Sequence, residues 1–244
     1  MKKVILLIIL CLVFAGVIFP LEDAISNFEK GNRAYREGKW AKASEFYRDA
    51  ATAGLNNSTL WYNLGCSAWK SGSVGSAILY FERAAKMNPR DPDIKNNLEF
   101  VRAHLPEKPQ PREGFSYFIL SFMTLNELLV LVLVLLWIFF ILLGLYFRLR
   151  KEPLAWIAGV LFIILLILSI TSGLIIYNEI KSPQAVILPE KVEVYSGPGR
   201  DYTGCGNLSE GSIVRILRTQ GDWCEIGFRD RFKGWIRKEE AEKI

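Results

Sequence analysis

The sequence predicts a multidomain membrane protein made of an all-α helical repeat, a two-helix transmembrane hairpin and a small all-β barrel. Three observations predict it. The segment around residues 31–50 matches residues 65–84 at an offset of 34 positions. Two long apolar runs, Leu128 to Phe147 and Leu154 to Tyr177, occupy the middle of the chain. From Ala185 onward the chain breaks into short alternating runs separated by glycines, the pattern of small antiparallel strands.

At the N-terminus Lys2 and Lys3 precede an apolar run from Val4 to Phe19, the charged start and hydrophobic body of a secretion signal. Val13 and Ala15 have the spacing of a cleavage site, yet the run continues through Phe19. Residues 1–20 are therefore read as a signal peptide or a retained signal anchor, and the next segment as exported. No lipobox precedes Cys11, which is read as an inert thiol.

Residues 21–105 hold the helical repeat. The offset aligns Gly31 with Gly65, Gly38 with Gly72, Ala43 with Ala77, Tyr47 with Phe81, and Ala50 with Ala84. Small residues let two antiparallel helices approach, and the aromatics fill the space between them. Such repeats bury their faces only by stacking. Asp91 to Ala103 supplies a closing helix, with Asp91 as cap, Pro92 in the first turn and Ile94, Leu98 and Val101 as an apolar stripe. The Pro-containing stretch from Pro106 to Pro111 makes residues 106–117 a stiff linker.

Residues 118–177 form the hairpin, with spans at about 128–147 and 154–177. Each is long enough for the roughly 20 apolar residues that cross a hydrocarbon core. Thr124 and Glu127 have capping-box spacing before the first span, and Trp156 and Tyr177 sit near the ends of the second like interfacial anchors. Arg148 to Pro153 is too short for anything but a tight turn, so both flanking segments face one side. Its three cations, Arg148, Arg150 and Lys151, place the turn in the cytoplasm and the flanking segments outside.

Residues 185–244 are read as the barrel, with strands at Ala185–Leu188, Val192–Tyr195, Ser212–Leu217, Trp223–Ile226 and Gly234–Ile236. Cys205 and Cys224 are a candidate disulfide in an exported segment, with two independent thiols as the alternative.

Charge excludes one function class. Residues 21–117 carry 14 basic and 12 acidic side chains, and residues 185–244 carry 10 of each, so neither soluble part has a footprint for nucleic acid. The four cysteines form no CxxC pair and His104 is the only histidine, so neither a metal nor a cofactor site is expected. The sequence has no P-loop and no nucleophile elbow, and Cys66 with His104 is its only conceivable catalytic pair. An enzyme is not expected.

Trp61, Leu64, Gly65, Ala77, Phe81, Ala84 and Pro89 stand where tetratricopeptide repeats have their signature residues, and residues 21–105 resemble that family. The resemblance implies a peptide groove across the first helix of each pair, at Phe28, Asn32, Tyr35 and Arg36, then Tyr62, Asn63, Cys66, Trp69 and Lys70. Tyr35 and Trp69 serve either this groove or helix packing. Asn32 and Asn63 match two positions of a carboxylate clamp, but Phe28, Asp93 and Asn97 stand where that clamp has cations.

The run Val194-Tyr195-Ser196-Gly197-Pro198-Gly199, with Gly221-Asp222-Trp223 and Gly234-Trp235-Ile236, resembles bacterial SH3 domains. That implies a ligand groove at Tyr195, Asp201, Tyr202, Trp223 and Trp235 for an extended peptide or a peptidoglycan fragment, with barrel core as the other reading of both tryptophans. The order of segments resembles the BatE-like proteins of the Bacteroides aerotolerance group. This resemblance implies a scaffold of the bacterial cytoplasmic membrane, active in envelope stress tolerance. Its implied partners are von Willebrand A-domain membrane proteins and, indirectly, a MoxR-type ATPase. A peptidoglycan-binding envelope sensor is the alternative.

Overall fold

The computed structural model describes residues 22–105, 115–228 and 232–244; the N-terminal apolar run with Cys11, and the stretch from Pro106 to Pro111, lie outside them. Five helices build the repeat: α1 over 22–36, α2 Trp40–Thr52, α3 Ser58–Lys70, α4 Val74–Met87 and α5 Pro92–Ala103. The internal period has a steric cause. A Cβ on Gly31 would fall 2.5 Å from the Tyr47 ring, and one on Gly65 would fall 2.7 Å from Phe81. Each first helix thus leaves a notch into which the aromatic of its partner helix fits. Around these rings Ala43, Ala50, Leu60, Leu64, Ala77 and Ala84 are fully buried.

The closing helix α5 forms as the stripe predicts, burying Ile94, Leu98 and Val101. The Asp91 carboxylate accepts from the Asp93 and Ile94 amides at 2.9 and 3.3 Å, satisfying two of the orphan donors at its start. Arg102 of α5 pairs with the buried Glu82 of α4.

Three helices follow: α6 Phe115–Phe122, α7 Leu125–Leu149 and α8 Glu152–Lys181. Both capping-box bonds form at the start of α7: the Thr124 amide donates to Glu127 Oε2 at 2.8 Å and the Glu127 amide to Thr124 Oγ1 at 3.2 Å. Arg150, at φ 53°, reverses the chain into α8, where Pro153 stands in the first turn. Helices of 25 and 30 residues reach about 38 and 45 Å, more than the ~30 Å of hydrocarbon. They pack antiparallel with outward apolar side chains, including Trp137 and Trp156, left exposed.

The C-terminal unit is an antiparallel sheet of β1 Gln184–Ile187, β2 Lys191–Tyr195, β3 Gly204–Ser209, β4 Ile213–Gln220, β5 Trp223–Phe228, β6 Phe232–Arg237 and β7 Ala241–Lys243. Its order is β3-β2-β6-β5-β4-β1-β7. Alternate residues Val192, Val194, Val214, Ile216, Cys224 and Ile226 point into one core. A register shift between Ile216 and Arg218 turns β4 against β5. Cys205 and Cys224 do not form the candidate disulfide and are free thiols. They lie on β3 and β5 with β2 and β6 between them. Three strand spacings of about 4.8 Å along the sheet exceed the ~7 Å that a disulfide bridges.

The barrel docks on the outer helix of the second repeat. Val186, Leu188, Ile213 and Ile244 join the apolar cluster that holds Ile78 and Tyr80 of α4. The Gly75 amide donates to Glu210 Oε1 at 2.6 Å, while the side chain of Ser73, the residue at the cap of α4, makes no capping hydrogen bond. The barrel therefore caps a helix of the repeat. A Cβ at Gly75 would meet the Ile187 carbonyl oxygen at 2.7 Å, so the approach requires glycine. Arg83 pairs with Glu242 at 2.9 Å, donates to the Lys243 carbonyl at 2.5 Å and lies 4.8 Å above the Trp61 ring. Two further ion pairs, Arg90 with Glu127 and Lys86 with Glu179, tie the repeat to the near ends of α7 and α8.

Candidate functional site

The first surface runs across α1, α3 and α5. Asn32 accepts from the Tyr47 hydroxyl at 2.8 Å and from Asn63 Nδ2 at 3.2 Å, which cross-links the two repeats at the groove floor. Phe28 packs 5.6 Å from Tyr47, and Tyr35 stands edge-on to Trp40 at 4.8 Å. Arg36 is exposed and, with Glu29, Asn32 and Arg33, lines a shallow depression of about 280 Å³. The Tyr62 hydroxyl accepts from Asn97 Nδ2 at 3.1 Å.

Burial sets the chemistry of this face. It pushes the Tyr47 and Tyr62 phenols up to about 12, helped by Tyr35 near Tyr47 and by Cys66 near Tyr62. It also raises the Cys66 thiol above its usual range, against the smaller pull of Tyr62 and Lys70. A nucleophilic cysteine needs the opposite shift. His104 is engaged elsewhere: its ring lies 5.0 Å from Trp69 and 4.7 Å from Phe100. Trp69, Phe100 and His104 form an aromatic cluster that closes one end of the groove beside the exposed Lys70, and Phe100 is 52% exposed. Sequence reasoning left Phe100 out of the groove. Its signal was an aromatic set off the Ile94, Leu98 and Val101 stripe.

The second surface lies on the barrel. Tyr195 and Trp223 meet edge to face at 5.6 Å, both half-buried. Tyr202 is 51% exposed and its ring lies against Gly197, with exposed Asp201 preceding it. Trp235 pairs across the ladder with Tyr195 but is only 4% exposed. The Arg218 guanidinium covers it at 5.1 Å and is held by Glu225 Oε2 at 2.6 Å. The accessible side chains of this face are thus Tyr195, Tyr202, Trp223 and Arg218, with Trp235 beneath. Sequence reasoning missed Arg218 because nothing in a lone strand arginine marks the ring that it covers.

The family model of the bacterial SH3 domain matches residues 189–242. A segment of 71 residues is 37% identical to protein O-mannosyl-transferase TMTC1 of Mus musculus, covering 29% of this chain and 8% of that protein. A segment of 78 residues is 31% identical to a Bacillus subtilis protein named as an N-acetylmuramoyl-L-alanine amidase, YrvJ, covering 31% of this chain and 15% of that one. The photosystem I assembly protein Ycf3 of Synechococcus elongatus is 24% identical over 92 residues, which cover 36% of this chain and 53% of that protein. The chain thus spans between about a twelfth and about half of the length of these relatives. Among solved structures, the TPR domain of Arabidopsis OM64 is similar at 20% identity and a TM-score of 0.20, covering 35% of this chain and 99% of that one. The chain combines tetratricopeptide-like helical repeats with a segment that matches the bacterial SH3 domain, around a pair of apolar helices long enough to cross a membrane.

Proposed function

We propose that this protein is a membrane-anchored scaffold of the bacterial cell envelope and not an enzyme. Its groove holds a protein partner, and its barrel holds a second ligand at a fixed distance from the first. The observation that carries this reading is the docking of the barrel on α4 of the repeat, together with the two ion pairs that join the repeat to the apolar hairpin. Fixing both surfaces at one bilayer raises the effective concentration of the second ligand once the first is bound. The basic turn from Arg148 to Lys151 supports an orientation with that turn in the cytoplasm and both surfaces outside the inner membrane. The order of segments supports a stress or aerotolerance complex with von Willebrand A-domain membrane proteins and, through them, a MoxR-type ATPase.

The test is affinity purification of the tagged chain from cross-linked, gently solubilised membranes, comparing wild type with a Tyr62→Ala, Lys70→Ala groove variant. Partners of the von Willebrand type that disappear with the variant support the scaffold. An unchanged set of captured proteins refutes the groove assignment. A second reading, recognition of peptidoglycan by the barrel, is favoured by the exposed Tyr202 and the neighbouring Tyr195 and Trp223 pair and by the relative named as an N-acetylmuramoyl-L-alanine amidase. Binding to isolated sacculi that falls with Tyr202→Ala supports it; binding that Tyr202→Ala leaves intact counts against it.

A further inference from the structure

Helix α6 has no place in a hairpin of two spans. Eight residues reach about 12 Å, far short of the ~30 Å of hydrocarbon, and only Met123 and Thr124 separate α6 from α7. Thr124 is extended, at φ −73° and ψ 159°, so α6 does not continue the axis of the span. None of its eight residues is charged. Phe118 and Phe122, one turn apart, stack edge to face at 5.0 Å and are each 59% exposed. The exposed Ser121 between them donates its hydroxyl to the Phe118 carbonyl at 2.7 Å, which hides the polar group of that face.

The level of α6 relative to the bilayer follows from charge. Arg90 with Glu127 and Lys86 with Glu179 mark the near ends of α7 and α8, and ion pairs of this kind stay at the aqueous boundary. Thr124 and Glu127 close the capping box at the same level, directly after α6. An uncharged helix with two exposed phenylalanines is thereby held where headgroups give way to acyl chains.

We propose that α6 is an interfacial anchor. It lies along the leaflet below the repeat and barrel, with Phe118 and Phe122 immersed in the outer acyl region. The occupant of this face is lipid, in contrast to an apolar helix of another protein. The inference rests on the reading of α7 and α8 as spans.

The test uses the full chain in vesicles of phosphatidylethanolamine and phosphatidylglycerol. Cys11, Cys66, Cys205 and Cys224 are replaced by alanine, and single nitroxide labels are placed through Phe118→Cys, Phe122→Cys, Val134→Cys and Lys95→Cys. Power saturation compares collisions with oxygen, which partitions into lipid, and with a water-soluble nickel complex. The expected oxygen-to-nickel ratio at 118 and 122 lies several-fold above that at 95 and below that at 134. A ratio at 118 and 122 equal to that at 95, with 134 still lipid-like, overturns the anchor and leaves the hairpin standing. Poor access of both reagents overturns it in favour of a protein partner. A water-like ratio at 134 removes the hairpin and the inference together. Wild-type chain cross-linked to a lipid with a photoactivatable acyl chain gives a second reading free of cysteine changes. Label on residues 115–123 is expected; its absence while α7 and α8 are labelled overturns the proposal.

Discussion

The contact between Glu210 and the start of α4 makes a sharp prediction, because it places a cap of one module in the hands of the other. Glu210 Oε1 accepts from the Gly75 amide at 2.6 Å, in the role that Ser73 leaves unfilled. Replacing a capping acceptor by alanine costs about 1 kcal/mol, within a range of about 0.5–2. Loss of a carboxylate from the positive end of a helix costs about 0.3–1 kcal/mol more. Glu210→Ala therefore weakens the first turn of α4 by about 1–2 kcal/mol, which accelerates local opening about 5- to 30-fold. Hydrogen exchange on the full chain in nanodiscs reads this at the amides of residues 74–77. Glu210→Gln keeps an acceptor and loses only the smaller electrostatic part. Unchanged exchange in Glu210→Ala, or an equal rise throughout α1 to α3, refutes the idea that the barrel caps the repeat.

Gly65→Val drives a branched side chain into the Phe81 ring, where even a Cβ would lie 2.7 Å away, and should cost about 1–3 kcal/mol or more in thermal unfolding. The phenols of Tyr47 and Tyr62, pushed up to about 12 in the folded chain, stand above the ~10 of an unfolded tyrosine. The stability they contribute is complete below about pH 10 and is lost as pH rises towards 12. Absorbance at the phenolate band, recorded with helix circular dichroism, should show these two ionising together with loss of helix; titration near 10 in a folded chain contradicts the packing. Cys205 is exposed whereas Cys224 is buried with its thiol pushed up to about 11 by burial and by Glu240, so in a Cys11→Ala, Cys66→Ala chain a membrane-impermeant maleimide should label Cys205 and not Cys224. Labelling in intact spheroplasts tests the outward orientation, and protection until lysis opposes it.

The repeat was legible because its period reflects a two-residue fit, Gly31 to Tyr47 and Gly65 to Phe81, that sequence comparison detects directly. The longer strands were legible wherever burial alternates, as in Val192 and Val194. Strand β3 was not, since Gly204 to Asn207 are all exposed and offer no alternation, and β7 is three residues with two charges. Helix α6 vanished into the apolar sequence that precedes α7, although Thr124 and Glu127 marked the break. No sequence signal foretold the docking of the modules: Gly75 and Glu210 are 135 residues apart, and the period aligns Gly75 with Ala41, another small residue. The site shows the same limit. Trp223 and Trp235 look alike as strand tryptophans, yet the ladder leaves Trp223 at the surface and sets Trp235 under Arg218.

In the proposed scaffold, repeat and barrel form one body with two separate binding surfaces. Its most direct test compares wild type, Tyr62→Ala with Lys70→Ala, and Tyr202→Ala, all in nanodiscs and all checked for unchanged folding. Each is assayed against the cross-linked protein partners and against isolated sacculi. The groove variant is expected to lose the protein partners and keep the wall material, while Tyr202→Ala does the reverse. Loss of both ligands in either variant, or of neither in both, would contradict it.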